Sequence, residues 1–201
     1  MRNLTAITSN RSTHHEGHGH DGAEQSGGQR IEGANPTGTR FKDILIGIDA
    51  ADTVTGLAES DVLRGMAGDD TLIGVNNASK TPGRDEIDAL YGGLGADTFV
   101  LGDLRGGVFY LDKGNKGAGR KSYAGIQDYE AGDTISLRCY EMGEYVLDTA
   151  YKVGNSTATA IYYNKDNKPG ISKGDDLVAI VQGSAASSLD LMNANQFNWI
   201  I

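Results

Sequence analysis

The sequence predicts an all-β protein, a parallel β-roll of nonapeptide repeats followed by a β-rich C-terminal capping region. Three regularities carry that expectation. Glycine recurs every nine residues, at Gly38, Gly47, Gly56, Gly65, Gly74, Gly83 and Gly92. Aspartate follows five positions later, at Asp43, Asp52, Asp61, Asp70, Asp88 and Asp97, with Ser79 breaking the series. An apolar residue comes two positions after that, at Leu45, Val54, Leu63, Leu72, Leu90 and Phe99, with Thr81 the exception. A fixed short period marks a solenoid, whose repeats bury their apolar side only by stacking on one another.

Each nonapeptide divides into a six-residue turn ending in Asp and a three-residue strand with an apolar centre. Strand alternation sends the centre to one face and its neighbours to the other. Stacking then buries Leu45, Val54, Leu63 and Leu72 in one narrow core and sets the aspartates in two rows, one along each edge. The repeating glycines are expected to supply the left-handed backbone of tight turns. The fourth position of the repeat is glycine only at Gly68 and Gly95; Phe41, Ala50, Glu59, Asn77 and Glu86 stand there elsewhere. Side chains other than those of Asn and Asp resist positive φ, so the first three turns are expected to be distorted. The stretch GVNNASKTP (74–82) keeps the length but loses both Asp and the core residue, and Pro82 removes a ladder donor. Residues 75–83 are therefore expected to loop out. Counting on by nines puts Thr53, Thr55, Thr71, Ile73, Ala89 and Tyr91 outward on one sheet. Ile44, Ile46, Val62, Arg64, Thr98 and Val100 then face outward on the other. Several of these are apolar enough that the C-terminal half is expected to cover at least one sheet.

Residues 1–37 are polar and without period, which predicts a disordered tail. All four histidines fall in HHEGHGHDG (14–22). Such a tract can take Zn²⁺, Ni²⁺ or Cu²⁺, and an unstructured tail with incidental affinity is the simpler reading. After the roll at 38–100, separate strands are expected over 101–201: VFYLD (108–112), YAGIQDY (123–129), DTISLRCY (133–140), EYVLD (144–148), TAIYYN (159–164) and DLVAIVQG (176–183). A short turn and a last strand follow in LDLMNANQFNWII.

The net charge of −9 argues against nucleic acid or an anionic membrane as partner. Rows of carboxylates repel one another until a cation joins them. The single Cys139 excludes an internal disulfide framework, and no apolar run is long enough to span a bilayer. With every histidine in the tail, no Ser–His or Cys–His pair is available in the folded part. Catalysis is not expected.

GMAGDDTLI (65–73) and GGLGADTFV (92–100) resemble the G-G-x-G-x-D-x-U-x nonapeptide of the RTX (repeats-in-toxin, hemolysin-type) calcium-binding proteins. The resemblance implies a roll that holds several Ca²⁺ between turns one coil apart on the same edge. Asp43, Asp52, Asp61, Asp70, Asp88 and Asp97 are then the ligands, with carbonyls from the turns of Gly38, Gly47, Gly56, Gly65, Gly68, Gly83, Gly92 and Gly95. Ca²⁺ accepts about six to eight such oxygens in flexible geometry. Pairing at a spacing of eighteen joins Asp43 to Asp61, Asp52 to Asp70 and Asp70 to Asp88, and leaves Asp97 without a partner before it. EIDALYGGLGADTFVLGD (86–103), IQDYEAGDTISL (126–137) and DDLVAIVQG (175–183) are similar to the capping regions of cyanobacterial-type RTX proteins and to R-modules of alginate epimerases. Asp103 and Asp128, chosen from Asp103, Asp112, Asp128 and Asp133, are expected to add ligands where roll meets cap. The resemblance further implies a secreted, extracellular protein exported by type I machinery through a C-terminal signal. The alternative is a module that binds polysaccharide or a cell-surface layer, using the basic stretch Arg105, Lys113, Lys116, Arg120 and Lys121.

Overall fold

A computed structural model describes residues 27–112, 121–140, 144–165 and 168–201. The histidine tract and Lys113, Lys116 and Arg120 lie outside them. The strands are β1 (Arg30–Glu32), β2 (Ile44–Ile46), β3 (Thr53–Thr55), β4 (Val62–Ala67), β5 (Thr71–Ile73), β6 (Ile87–Leu94), β7 (Thr98–Val100), β8 (Gly102–Asp103), β9 (Gly107–Val108), β10 (Tyr123–Ile126), β11 (Thr134–Arg138), β12 (Tyr145–Val153), β13 (Ser156–Tyr163), β14 (Asp176–Val181) and β15 (Phe197–Ile200). No α-helix occurs among the described residues, so none crosses a membrane as a helix.

Two sheets face each other. One runs β1-β2-β4-β6-β10-β14-β13-β12 and the other β15-β11-β7-β5-β3. From β2 to β7 the chain visits them alternately, and all these pairings are parallel. Leu45, Leu63 and Leu90 are in register across one sheet, and Val54, Leu72 and Phe99 across the other. All six are fully buried. These are the apolar centres of the repeats, each contributing roughly 1.5–3 kcal/mol by leaving water. The parallel β-roll that the resemblance implies is the fold.

Three features differ from expectation. First, Arg30–Glu32 pairs in parallel with β2, so part of the segment expected as a tail is a coil of the roll. Second, the beat of nine slips. Val62 pairs with Ala89 and Thr71 with Thr98, so Ala89 and Tyr91 face outward beside Val62 and Arg64, and Thr98 lies beside Thr71. The reason is that the irregular nonapeptide forms no half-coil. It is spent inside a single enlarged turn that begins at Gly74 and ends at Asp88: a Cβ on Gly74 would come within 2.4 Å of Asp88 Oδ2. The loop-out is there, and it changes which sheet every later strand joins.

Third, the ladder has no break at residue 100. β10 pairs in parallel with β6, β14 with β10, β11 with β7 and β15 with β11. The C-terminal half caps the roll by adding coils to it; β13 runs antiparallel to both β14 and β12, as does β8 to β9. It does not fold back over the first coils: Ile44 stays 40 % exposed, and Arg64 lies over the outward Tyr91 ring at 4.1 Å.

Candidate metal centre

The aspartates form two hydrogen-bonded rows. On one edge the Gln29 N–H donates to Asp43 Oδ1, the Asp43 N–H to Asp61 Oδ1 and the Asp61 N–H to Asp88 Oδ1, at 2.6–2.8 Å. On the other, the donors Asn35, Asp52, Asp70 and Asp97 feed Oδ1 of Asp52, Asp70, Asp97 and Asp133 in turn, at 2.7–3.0 Å. The expected neighbours Asp43–Asp61 and Asp52–Asp70 stand together. The expected Asp70–Asp88 neighbours do not: the enlarged turn makes Asp97 the neighbour of Asp70 and Asp88 that of Asp61. Asp97 is therefore partnered on both sides.

The second oxygen of each carboxylate divides the turns into two kinds. Asp43 Oδ2 accepts from Thr39 N–H and Oγ1, and Asp52 Oδ2 from Ile48 N–H. Asp133 Oδ2 accepts from Glu130 N–H and Asp88 Oδ2 from the Tyr110 hydroxyl. These turns are closed by protein donors. Asp61 Oδ2, Asp70 Oδ2 and Asp97 Oδ2 are buried with no donor at all, in residues only 1 % exposed.

Backbone conformation accounts for the difference. The donors Thr39 and Ile48 occupy the second position of their turns. In the three open turns that position is Leu57, Met66 or Gly93, at φ +84°, +91° and +103°, and none of these N–H groups reaches the carboxylate. Glu59, Gly68 and Gly95 at the fourth position are left-handed too. The expectation of three distorted turns thus holds for the first two only; the third takes the left-handed form despite carrying Leu57 and Glu59. A non-glycine residue in that region carries strain of order 1–3 kcal/mol, which marks the conformation as imposed by its surroundings.

The glycines that keep the period serve close approach rather than left-handedness. Gly65 is not at positive φ, yet a Cβ there would sit 2.2 Å from Asp70 Oδ2 and 2.5 Å from the Gly92 carbonyl oxygen. The orphaned carboxylate oxygen and a carbonyl of the next coil thus converge on one small polar cradle. At Gly56 the same cradle is made by Asp61 Oδ2 and the Gly74 carbonyl, at 2.5 and 2.4 Å. Gly83 keeps the beat in sequence but stands off the rows, left-handed against the Tyr110 ring.

Burial raises the acidic groups and neighbouring carboxylates raise them further. Asp61 is pushed up to about 8, by burial first and then by Asp88, Asp43 and Glu86. Asp97 reaches about 6, by burial and then Asp133, Asp70 and Asp128. Asp70 is raised by burial, Asp52 and Asp69. Among the described residues nothing cationic compensates these charges within the rows. An ionised carboxylate buried this way costs several kcal/mol unless a cation or donor meets it.

Asp128 lies beside Asp97, its carboxylate accepting from Gly92 and Gly93 N–H at 3.0 and 3.2 Å. Asp103 stands apart from both rows. Its oxygens accept from Arg105 N–H, Gly106 N–H and Asn77 Nδ2, tying its loop to the enlarged turn. Glu86 was not singled out from the sequence. Its Oε1 accepts from Glu59 N–H, its Oε2 is a further buried oxygen without a donor, and burial and Asp88 push it up to about 7. The signal was a carboxylate standing where the repeat prefers glycine.

Residues 38–76 and 83–103 match the RTX calcium-binding nonapeptide repeat, in four copies. These coils are similar to RTX calcium-binding repeats. The gap in the match falls within the enlarged turn, and repeats of this kind bind several Ca²⁺ ions. No curated protein matches the chain. Among the described residues no three acidic, histidine or cysteine side chains meet at one point, so an ion in one of these turns would need backbone carbonyls for the rest of its shell. A hard ion with a preference for oxygen, such as Ca²⁺, suits that donor set.

Proposed function

We propose that this is a secreted protein whose roll is completed by Ca²⁺ at the three open turns. Asp61, Asp70 and Asp97 would hold the ions, with Glu86 adding charge on the edge of Asp61 and Asp128 on that of Asp97. The carbonyls of Gly74 and Gly92 face the same cradles. The observation that carries this reading is the set of three buried carboxylate oxygens without a donor, each in a turn whose second residue is left-handed. Asp43, Asp52 and Asp88 complete the rows without holding an ion themselves, because protein donors already fill their second oxygens.

Calcium supplies positive charge where the chain has only carboxylates, so its binding energy becomes folding energy. A site at about a hundred times its Kd adds about 2.7 kcal/mol, and extracellular calcium modules have Kd of about 10⁻⁴–10⁻³ M. The first coils would loosen where calcium is scarce and firm up outside the cell. A far-UV circular dichroism titration from chelator, with Mg²⁺ as control, tests this. Strand signal is expected to rise with Ca²⁺ and not with Mg²⁺; a complete strand spectrum in chelator, unchanged in melting temperature by Ca²⁺, would sink the proposal.

A further inference from the structure

Tyr110 is fully buried and belongs to no strand. Its hydroxyl donates to Asp88 Oδ2 at 2.7 Å, the atom equivalent to the orphaned oxygens of Asp61, Asp70 and Asp97. It also lies where the equivalent cradle would be: a Cβ on Gly74 would fall 2.3 Å from the Tyr110 hydroxyl and 2.4 Å from Asp88 Oδ2. At Gly56 and Gly65 the corresponding partner of the carboxylate is a carbonyl of the next coil.

The phenol is held there by the irregular nonapeptide. The Tyr110 N–H donates to the Pro82 carbonyl at 2.9 Å, and Gly83 leaves room for the ring, since a Cβ there would sit 2.6 Å from Tyr110 Cδ1. Tyr110 itself is left-handed, at φ +61°, a conformation an aromatic residue keeps only when its surroundings dictate it. The nine residues that spoil the repeat thus build a slot for one side chain.

We propose that the Tyr110 hydroxyl is a built-in substitute for calcium at Asp88, closing that turn to the metal and holding it together when the metal is absent. This rests on calcium binding at the open turns. A neutral donor satisfies the lone carboxylate oxygen without needing an ion, so the turn that ends at Asp88 is complete at any calcium concentration. Tyr110→Phe removes the one donor and leaves the carboxylate, its glycine and the turn.

The test is equilibrium dialysis of the full chain against Ca²⁺, paired with thermal melts in chelator and in saturating Ca²⁺. Tyr110→Phe is expected to bind about one more Ca²⁺ than the wild type, to melt lower in chelator, and to recover the difference in Ca²⁺. The same calcium count in both proteins would overturn the inference while leaving calcium binding intact. So would a variant that stays unfolded in saturating Ca²⁺, since the ion should replace the phenol. A wild type that binds no Ca²⁺ would instead remove the reading on which the inference stands.

Discussion

The coils from β2 to β7 and those from β10 to β15 share two sheets and one ladder, yet they are stabilised differently. The first set has single apolar residues at the strand centres and buried carboxylates in the turns. In the second, β14 is buried along its whole length. Tyr145 meets Tyr163 edge-on at 5.4 Å, and Lys165 neutralises Asp176 directly. A thin core with uncompensated charge needs an external ion; a thick one with internal pairs does not. The roll is therefore a shape that two chemistries can fill.

Chelation should separate the two regions most sharply. Hydrogen exchange in chelator is expected to lose protection in β2–β5 by several kcal/mol while β10, β11 and β14 keep theirs; uniform loss would erase the distinction. Next in size, Leu63→Ala should cost about 3 kcal/mol in chemical denaturation in saturating Ca²⁺, because each apolar centre packs only within its own narrow stack.

Asp70→Asn should cost about 2 kcal/mol in saturating Ca²⁺ and much less in chelator, where the neutral side chain removes a buried charge. Asp52→Asn, in a closed turn, should cost about 1–2 kcal/mol in both conditions. A calcium-dependent Asp52→Asn would break the division between open and closed turns.

Acidity offers a smaller effect of the same sign as calcium. Asp61 and Asp97 are raised to about 8 and about 6, so the metal-free fold holds protons that the unfolded chain releases. Their contribution is complete below about pH 4 and is lost as pH rises through about 6 and 8. Melting temperature in chelator should fall from pH 4 to pH 8.5, and Ca²⁺ should flatten or invert that slope. The smallest change belongs to the outer face: Arg64→Ala loses the stack on Tyr91 and should cost about 0.5–1 kcal/mol irrespective of calcium.

The roll was legible because its period writes the core positions directly: Leu45, Val54, Leu63 and Leu72 stand where the nonapeptide places them. The slip after Ile73 was half legible. Residues 74–82 advertised their irregularity, but nothing local showed that nine extra residues would be absorbed within one turn and so exchange the sheets of β6 and β7. The later coils carry no repeat, since strands such as Tyr123–Ile126 and Thr134–Arg138 are recruited by the edges of β6 and β7 rather than by a motif. Tyr110 was invisible because its contact with Asp88 joins distant parts of the chain. The open or closed state of a turn depends on the φ of its second residue, and Leu57 and Met66 adopt values their side chains disfavour.

The aspartate rows also have a direction. Every backbone N–H in them points toward the C-terminal neighbour, whose carboxylate receives it. The stack behaves as a zipper with one working end. Each tooth closes against the one after it in sequence, and the self-sufficient coils at the C-terminal end form the slider's stop. Closure should advance from β11 back toward β1, against the order of synthesis. Pulse-labelled exchange during refolding is expected to protect Asp97 N–H before Asp70, and Asp70 before Asp52.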